Sequence, residues 1–547
     1  MTSNDGVTFR EMLSAERFYY GVEVVTTRGF QLPDAPNNLA SFARDLLDDA
    51  RVGWISITDN PGGGPMLPPD WLAGSVADKG TGHLEEKGPV PFAPSDRRGR
   101  IVLHMTCKDL NRNALEAAAW RYAAEGFRNV LAITGDYPTT GFGGLAEPVF
   151  DLDSVGLITM LRMMNNGLQV PGRSGKMETL PKTDFFIGCV VSPFKRHERE
   201  LLPQYFKLVR KIACGAQWVI PQLGYDMRKV NEVKLFLETR GIDAPVIGNV
   251  YLLSRGVAKM FHSGKLAGCV VTDKLLETVE KYAAGPDKGK KFFLELAAKQ
   301  LAVIKGLGFA AGYIGGMAKA ETFGQIIDMA ESFAADDWRE FIKEIQYSQP
   351  GEFFLFEHDP ASGLCESRAI SREYSESLRH PGKSKEVNLS YRLSRLVHGM
   401  AFTRDKALYP ALKKIFARLD KKPGFLNRMA HSLEKTSKAV MYGCQDCGDC
   451  SLPECAYICP KRWCSKCGRN GPCGGSADGR CELDDKECIW ARIYQRLKHY
   501  GETEHMLDRP VTLYNATLKN TSSWANTFLD RDHSAPKTQH DTSNNIE

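Results

Sequence analysis

Residues 100–134 read RIVLHMTCKDLNRNALEAAAWRYAAEGFRNVLAIT, and this segment sets the pattern of the first part of the chain. An apolar run (100–107) is followed by an amphipathic helical stretch (114–127) and then by a second apolar run (129–134). Apolar strands separated by helices are typical of a parallel sheet whose two faces are covered by helices. The segment therefore predicts one strand-helix-strand unit of such a sheet.

The same alternation extends in both directions, from about residue 17 to residue 330. Helical stretches lie at 39–50, 201–216 and 227–241, and the six further apolar runs are YYGVEVV (19–25), WISIT (54–58), DFFIGCVV (184–191), WVIPQL (218–223), APVIGNVYLL (244–253) and FAAGYIGG (309–316). Eight such units favour an α/β fold of the (β/α)8 TIM barrel class over an open doubly wound sheet. No GxGxxG follows the first run, which also disfavours the open dinucleotide-binding alternative.

The ends of these runs predict where a site lies, because catalytic side chains of a barrel sit at the carboxyl ends of its strands. The residues at those ends are Glu23, Thr58, Asp59, His104, Thr106, Gly135, Asp136, Ser192, Gln222 and Tyr251. Most of them are polar. Each one alone is typical of a loop that ends a strand. The ring as a whole therefore carries the prediction of a site.

Charge and apolar patterning narrow the class of protein. The 547 residues carry a net charge of +5, which gives no general indication of nucleic acid binding. The start MTSNDGVTFREML lacks a basic region followed by an apolar segment, and no apolar run approaches the roughly 18 residues that span a bilayer. We therefore expect a cytoplasmic protein with no membrane partner, whose cysteines stay reduced.

Ten of the fifteen cysteines fall between residues 444 and 488, and repeated two-residue gaps separate them. They are Cys444, Cys447, Cys450, Cys455, Cys459, Cys464, Cys467, Cys473, Cys481 and Cys488. Such gaps allow consecutive thiolates to bind one metal centre, so the segment predicts a metal-binding domain. The C-x2-C-x2-C run with a later Cys-Pro favours a [4Fe–4S] cluster. Zinc is the alternative or an addition, for example at Cys464, Cys467, Cys473 and Cys481, and ten thiols suffice for two four-cysteine centres.

Four segments are predicted along the chain. Residues 1–335 form the barrel domain, 336–440 a linker with a basic helical region, 441–533 the cysteine-rich domain and 534–547 a disordered tail. The basic region lies between Thr403 and Val440 and contains only three acids. Its ten basic residues are Arg404, Lys406, Lys413, Lys414, Arg418, Lys421, Lys422, Arg428, Lys435 and Lys438. This pattern is typical of a solvated helical face. The alternative is a docking surface for an acidic partner beside the metal domain.

The strand ends and the cysteine pattern resemble a known family. Residues 17–330 resemble the catalytic domain of methylenetetrahydrofolate reductase, and the matching motifs are VEVV with Glu23, ISIT with Thr58, HMTC (104–107), ITGDYP (133–138), KIACGAQWVIPQ (211–222) and KAE (319–321). Residues 345–530 resemble the cysteine-rich partner subunit found beside that reductase in acetogenic bacteria, through CPKRWCSKCGRNGPCGG (459–475) and CIWARIYQRLK (488–498). The resemblance implies a flavin-dependent barrel that reduces 5,10-methylenetetrahydrofolate to 5-methyltetrahydrofolate and is fused to that partner.

The resemblance also assigns roles to individual residues. Glu23 matches the family's acid, which protonates the leaving nitrogen of the folate, and burial favours the protonated form of a carboxyl. Asp136 matches an aspartate that tunes the flavin, Gln222 a glutamine that pairs with the pterin ring, and Lys319 a folate-binding arginine. The flavin is expected to be FAD, with FMN as the alternative. The family's flavin contacts fall on Thr58, His104, Thr134, Gly135, Asp136, Phe150, Asp151 and Lys211.

Departures from the family pattern bear on the cofactors. Gln204 and Ser192 replace an aspartate and a tyrosine that are expected at the adenosine end of the flavin. The loop NVYLLSRG (249–256) lacks the phenylalanine that stacks on nicotinamide, which argues against direct use of NADH or NADPH. The metal domain offers another entry for electrons, by relay or from a docked ferredoxin- or flavodoxin-like donor, and NADH or NADPH stays the alternative donor.

Three functions stay open at this point. The first is reduction of methylenetetrahydrofolate. The second is the same flavin chemistry run as oxidation of methyltetrahydrofolate in a demethylation pathway. The third is a non-catalytic folate-binding or assembly protein with a structural zinc domain. We also expect a homo-oligomer.

Overall fold

The computed structural model describes residues 6–31, 38–77, 96–173, 175–382, 384–421, 424–484 and 486–536, so Lys422 and the last part of the predicted tail lie outside the described residues. The strands in these ranges are β1 (Tyr19–Val24), β2 (Trp54–Ile57), β3 (Ile101–Thr106), β4 (Asn129–Ile133), β5 (Gln169–Pro171), β6 (Met177–Thr179), β7 (Phe186–Val191), β8 (Trp218–Pro221), β9 (Ile247–Tyr251), β10 (Ala311–Gly315), β11 (Phe356–Asp359) and β12 (Leu364–Ile370).

The helices alternate with the barrel strands and then dominate the C-terminal region. They are α1 (Phe9–Leu13), α2 (Leu39–Asp48), α3 (Pro69–Ala77), α4 (Arg112–Ala124), α5 (Ser154–Asn166), α6 (Glu198–Ala213), α7 (Met227–Thr239), α8 (Arg255–His262), α9 (Asp273–Ala283), α10 (Lys290–Gly306), α11 (Ala320–Ser332), α12 (Trp338–Glu344), α13 (Arg372–Arg379), α14 (Leu389–Ala401), α15 (Leu408–Lys421), α16 (Phe425–Tyr442), α17 (Pro460–Trp463), α18 (Ile489–Lys498) and α19 (Ser523–Phe528).

Eight parallel strands form the barrel, in the order β8-β7-β4-β3-β2-β1-β10-β9. The seam between β8 and β9 is closed by a parallel bridge between Val219 and Val246, and the Val219 amide donates to the Pro245 carbonyl at 2.9 Å. Each of the eight predicted apolar runs contains one of these strands. The structure therefore confirms the TIM barrel and excludes the open sheet.

Helix α1 closes the amino end of the barrel. The Phe9 ring lies 5.0 Å from the ring centroids of both Trp54 and Trp218, which begin β2 and β8. The two tryptophans fill the interior against glycines, because a Cβ at Gly21 or Gly188 would overlap an indole ring at 2.0 or 2.2 Å. This end is a packed core, so the site has to lie at the opposite, carboxyl end.

The C-terminal region is rich in α-helices and packs along one side of the barrel. The β11–β12 hairpin packs against α7, and the Leu355 amide donates to the buried Glu232 of that helix at 2.6 Å. Helix α18 lies against α6, where the Tyr494 hydroxyl donates to Glu198 at 2.6 Å. Within the described ranges no helix is long and apolar enough to cross a membrane.

Candidate functional site

Glu23 lies near the carboxyl end of β1, inside the barrel mouth. Its Oε2 accepts a hydrogen bond from the Tyr313 hydroxyl of β10 at 3.3 Å. Burial raises the pKa of the Glu23 carboxyl to about 7, although the hydrogen bond from Tyr313 lowers it. A Cβ at Gly315 would stand 3.3 Å from Glu23 Oε1, so the glycine leaves the space beside the carboxyl open. A carboxyl that holds its proton near neutral pH fits a general acid.

His104 lies on β3 close to Glu23 and is uncharged. Its Nε2 is 2.8 Å from the Ser56 hydroxyl, and burial lowers the pKa of the imidazole to about 4. Ser56 is in turn the register partner of Glu23. The histidine therefore adds no positive charge that would ionise the carboxyl. Thr58 follows β2, and its hydroxyl donates to the Val24 carbonyl at 3.4 Å.

The segment after β4 brings Thr134, Gly135 and Asp136 to the same mouth. Gly135 has a φ of +89°, and a Cβ there would lie 3.0 Å from the Cβ of Thr106, so only glycine suits this turn. The Asp136 carboxylate accepts from the Gly62 amide at 2.8 Å, which fixes its direction. The Thr134 hydroxyl donates to Ser154 at 3.2 Å.

Three of the predicted flavin residues contact neighbouring groups of the protein. Asp151 is paired with Arg112 at 2.8 Å, and Arg112 also donates to the Tyr514 carbonyl of the C-terminal region at 2.7 Å. Lys211 is buried, donates to the Val190 carbonyl at 2.6 Å, and has its pKa lowered to about 8 by burial. Phe150 stacks on the Tyr137 ring at a centroid distance of 6.2 Å.

The predicted substrate residues lie at the same end of the barrel. Gln222 follows β8, and its Oε1 accepts from the Leu223 amide at 2.9 Å. Lys319 is exposed and precedes the first residue of α11, just after β10. The barrel therefore brings Glu23, Asp136, Gln222 and Lys319 to one mouth.

Lys466 of the cysteine-rich region reaches this mouth and was missed from the sequence. Its ammonium donates to the Gly135 carbonyl at 3.0 Å, pairs with Glu482 at 2.6 Å and lies 5.8 Å from the centre of the Phe150 ring. The side chain is 5% exposed. Lys466 lies between Cys464 and Cys467, a pattern that indicates metal binding. Nothing in the spacing indicates a contact with a barrel strand.

The loop after Lys466 covers the barrel beside β7 and α6. The buried Lys195 donates to the carbonyls of Gly474 and Ser476 at 2.5 Å each, and the buried Lys207 donates to Pro472 at 3.0 Å. A Cβ at Gly474 would stand 3.4 Å from the Cβ of Ser192, so the loop is in close contact with the barrel. The C-terminal region therefore forms one wall of the mouth.

The residues at this mouth fit a flavin. Ser192 Oγ and Gln204 Nε2 are buried and have no hydrogen-bond partner within the described ranges. Both positions are those at which the family resemblance places the adenosine end of a flavin, although the family has an aspartate and a tyrosine there. Buried polar atoms are normally satisfied, so these two are suited to a polar ligand that reaches them.

Two sets of the ten cysteines interact through their charges, namely Cys444, Cys447, Cys450 and Cys459 (the first group) and Cys464, Cys473, Cys481 and Cys488 (the second group). Burial raises the pKa of Cys459 to about 12, and the charges of Cys450, Cys447 and Cys444 act in the same direction. Burial also raises the pKa of Cys488 to about 12, followed by the charges of Cys473 and Cys481. Burial also raises the pKa of Cys464, followed by the charges of Cys473 and Cys488.

The example predicted from the sequence, Cys464, Cys467, Cys473 and Cys481, stays a prediction. Backbone amides donate to three of the sulfurs at 3.4 Å each, from Asp446 to Cys444, from Gly468 to Cys464 and from Gly475 to Cys473. Such bonds suit thiolates that bind metal. In the part of the chain that the structure describes, no three His, Cys, Asp or Glu side chains already converge in metal-binding geometry.

Comparisons with known proteins agree with this arrangement. Residues 92–330 match the family model described as "Methylenetetrahydrofolate reductase", and residues 424–516 match the one described as "Methylene-tetrahydrofolate reductase C terminal". One similar solved structure is "Uncharacterized protein from Clostridium thermocellum binds two copies of 5-methyl-5,6,7,8-tetrahydrofolic acid", with 10% sequence identity, a TM-score of 0.39, and coverage of 59% of this chain and 96% of that chain. This last likeness is too distant to bear on function. The two family matches show that the chain is an oxidoreductase of the methylenetetrahydrofolate reductase family, in which the barrel is fused to the family's C-terminal domain.

Proposed function

We propose that the protein reduces 5,10-methylenetetrahydrofolate to 5-methyltetrahydrofolate with a flavin, and that electrons enter through the C-terminal domain. The observation that carries this proposal is Glu23, a carboxyl at the barrel mouth whose pKa is raised to about 7. The family match supports a flavin-dependent reductase.

The chemistry requires a proton donor and a folate site. The methylene bridge opens when the leaving nitrogen is protonated, and Glu23 holds a proton for that step because of its raised pKa. Gln222 offers an amide that pairs with the pterin ring, and the exposed Lys319 offers a cation for the folate. When bound, the flavin supplies the hydride. Asp136, which the Gly62 amide orients, places a negative charge beside it.

The flavin is held by residues of both domains in this proposal. Thr58, His104, Gly135 and Phe150 form the barrel side, and Lys466 adds a cation from the C-terminal side. The family match supports FAD as the cofactor, and the replacement of the family's aspartate and tyrosine by Gln204 and Ser192 keeps FMN as the alternative. Chromatography of the released flavin distinguishes FAD from FMN.

Two metal centres are proposed in the C-terminal domain. Cys444, Cys447, Cys450 and Cys459 would hold an iron–sulfur cluster, because their spacing is that of cluster ligands and their charges interact. The second group would hold zinc or a second cluster, and its ligands are Cys464, Cys473, Cys481 and Cys488. Cys455 and Cys467 are outside both sets.

Helices α14–α16 are the proposed docking surface for the electron donor. Of 27 exposed large apolar side chains in the described ranges, 13 lie between Leu389 and Met441, which is an unusual concentration for a free surface. Several basic residues of α15 and α16 make no ion pair within the described ranges, among them Lys414, Lys421 and Arg428. An acidic partner with an apolar contact area fits both properties.

Helix α16 also links this surface to the first cysteine group. His431 and Lys435 pair with Asp446 at 2.9 and 3.0 Å, and Lys438 lies 3.9 Å from the Cys450 sulfur. Asp446 stands between Cys444 and Cys447 in the chain. A donor bound on α14–α16 would therefore lie beside these thiols.

The proposal is tested with protein purified without oxygen. Iron, zinc, sulfide and flavin are quantified, the protein is chemically reduced, and methylenetetrahydrofolate is added. We expect methyltetrahydrofolate to form in proportion to the reduced flavin. Reduced protein that contains flavin but yields no methyltetrahydrofolate would contradict the proposed reaction, and a C-terminal domain that contains only zinc would contradict the electron relay.

A further inference from the structure

A cavity in the C-terminal region lies apart from the barrel mouth. It has a volume of about 350 Å³ and lies among α14, α15, α16, α19 and the segment that follows Cys450. This volume is near the lower end of the range for small-ligand sites, which runs from about 300 to 1,000 Å³. It is suited to a single flat ring system, and a dinucleotide would not fit.

Aromatic rings form much of the wall of this cavity. Phe402, Tyr409, Tyr457 and Trp524 all line it. The Phe402 ring lies 6.3 Å from the ring of Trp524, and both Phe402 and Tyr409 pack on Phe528 behind the wall, at 5.0 and 5.1 Å. Ring faces held in this way favour a flat aromatic ligand, because stacked rings attract each other beyond simple burial.

Several polar side chains line the cavity, among them the acids Glu454 and Asp532, and two others, Tyr409 and Lys438, bear on its chemical preference. The Tyr409 hydroxyl is buried and has no hydrogen-bond partner within the described ranges, so it needs an acceptor. The Lys438 ammonium is fixed by Glu434 at 2.8 Å and by Ser523 at 2.5 Å. A buried donor and a fixed cation suit a ring that bears carbonyl oxygens and gains negative charge on reduction.

The cavity is distinct from the proposed metal centres. Among the described cysteines only Cys450 lines it, and the other three members of the first group do not. The Lys438 ammonium lies 3.9 Å from the Cys450 sulfur and so marks the boundary between the two. A ligand in the cavity would lie next to the first cysteine group without displacing its ligands.

We propose that this cavity is a second cofactor site, and that it binds a flat, carbonyl-bearing redox ring of the isoalloxazine or quinone type. The ring stacks against Trp524 and Phe402, and a carbonyl oxygen accepts from Tyr409. Lys438 lies beside the ring and favours its reduced form. Only a role in electron entry rests on the proposed function, whereas the binding itself does not.

The experiment is an equilibrium titration of the full chain, with FMN and with menadione as separate probes. We expect one equivalent of a probe to bind in addition to the barrel flavin, and the tighter probe identifies the ring class. Trp524→Leu should abolish this equivalent, and Tyr409→Phe should weaken it about tenfold, as expected for one lost hydrogen bond to a buried group. Trp71→Leu is the matched control, since Trp71 is 45% exposed on α3 of the barrel.

Failure of this inference differs from failure of the proposed function. A wild-type chain that binds neither probe beyond its barrel flavin overturns the second site, and so does a Trp524→Leu variant that binds like the wild type. A barrel without flavin would leave one equivalent in the wild type and none in Trp524→Leu. Tyr409→Phe keeps the ring and the fold, so it decides the matter if Trp524→Leu unfolds in a thermal scan.

Discussion

The barrel mouth and the cysteine-rich region are organised in different ways. In the mouth, Glu23, His104 and Asp136 hold their positions through strand register and short hydrogen bonds within the barrel. In the cysteine-rich region the backbone is irregular, with non-glycine residues such as Asp446, Tyr457 and Cys467 at positive φ. Such conformations persist only where surrounding contacts fix them. The barrel is therefore set by its own packing, whereas the cysteine-rich region depends on its contacts and on the proposed metals.

The largest expected effect is on the barrel side. Glu23→Gln removes the proton donor, so turnover of methylenetetrahydrofolate should fall at least about 100-fold, as is usual for loss of a general acid. Flavin content should not change. Glu352→Gln is the matched control, because burial also raises the pKa of Glu352 to about 7 but this residue lies beside Lys229. Equal turnover of Glu23→Gln and the wild type would show that Glu23 is not the proton donor.

Metal removal should separate the two regions. Replacement of Cys459 by Ser breaks the first group, so we expect donor-dependent turnover to fall about tenfold or more while chemically reduced protein still converts the folate. The barrel should keep its thermal transition, because it closes without the cysteines. Loss of that barrel transition together with the metal would show that the two regions are not independent. Cys214→Ser, in a buried barrel cysteine, is the control.

The pH dependence of the reduction should report Glu23. Because burial raises the pKa of this carboxyl to about 7, it is protonated below that pH and loses its proton above it. The rate of the chemically reduced protein should therefore be level in acid and fall about tenfold for each pH unit well above 7. Stopped-flow rates across this range measure the effect. A rate that rises through pH 7 would show that Glu23 does not act as the acid.

The contact between the two regions can be tested at Lys466. Lys466→Ala removes the cation at Gly135, and we expect flavin to bind about tenfold more weakly, since hydrogen bonds to charged groups contribute about 1.5–3 kcal/mol. Lys466→Arg should restore part of the affinity. Lys486→Ala serves as the control, because Lys486 pairs with Asp484 of its own loop. Flavin fluorescence titration measures the affinity of each variant for flavin. Unchanged affinity in Lys466→Ala would mean that the barrel binds the flavin without help from Lys466.

The smallest effect concerns the docking surface. Lys414→Glu with Lys421→Glu should raise the KM for an acidic donor several-fold, and more strongly at low salt. The pair Lys290→Glu and Lys291→Glu on α10 is the control, because both residues are exposed on the barrel. Identical donor kinetics in the two double variants would leave the basic residues as a solvated face.

The sequence predicted the barrel well because its strands are buried on both faces and therefore read as apolar runs. It also predicted the mouth residues, since a strand end fixes which side chains meet. Lys466 was not predictable, because its contact with Gly135 joins positions 331 residues apart and neither belongs to a periodic pattern. Which of the ten cysteines bind a common metal depends on how an irregular loop turns, so the ligand sets stay predictions. The predicted domain boundaries at 335 and 440, and the predicted homo-oligomer, stay predictions.

The packing of Phe9 between Trp54 and Trp218 limits how a ligand can enter the barrel. Because that end is packed, the carboxyl end of the described barrel is the expected entrance for a ligand, and the loop that contains Lys466 and Gly474 stands at its edge. We expect folate to enter at this end, beside the cysteine-rich region that covers part of it. Any shift of that region during electron delivery would widen or narrow this opening. We therefore expect substrate exchange and reduction to alternate.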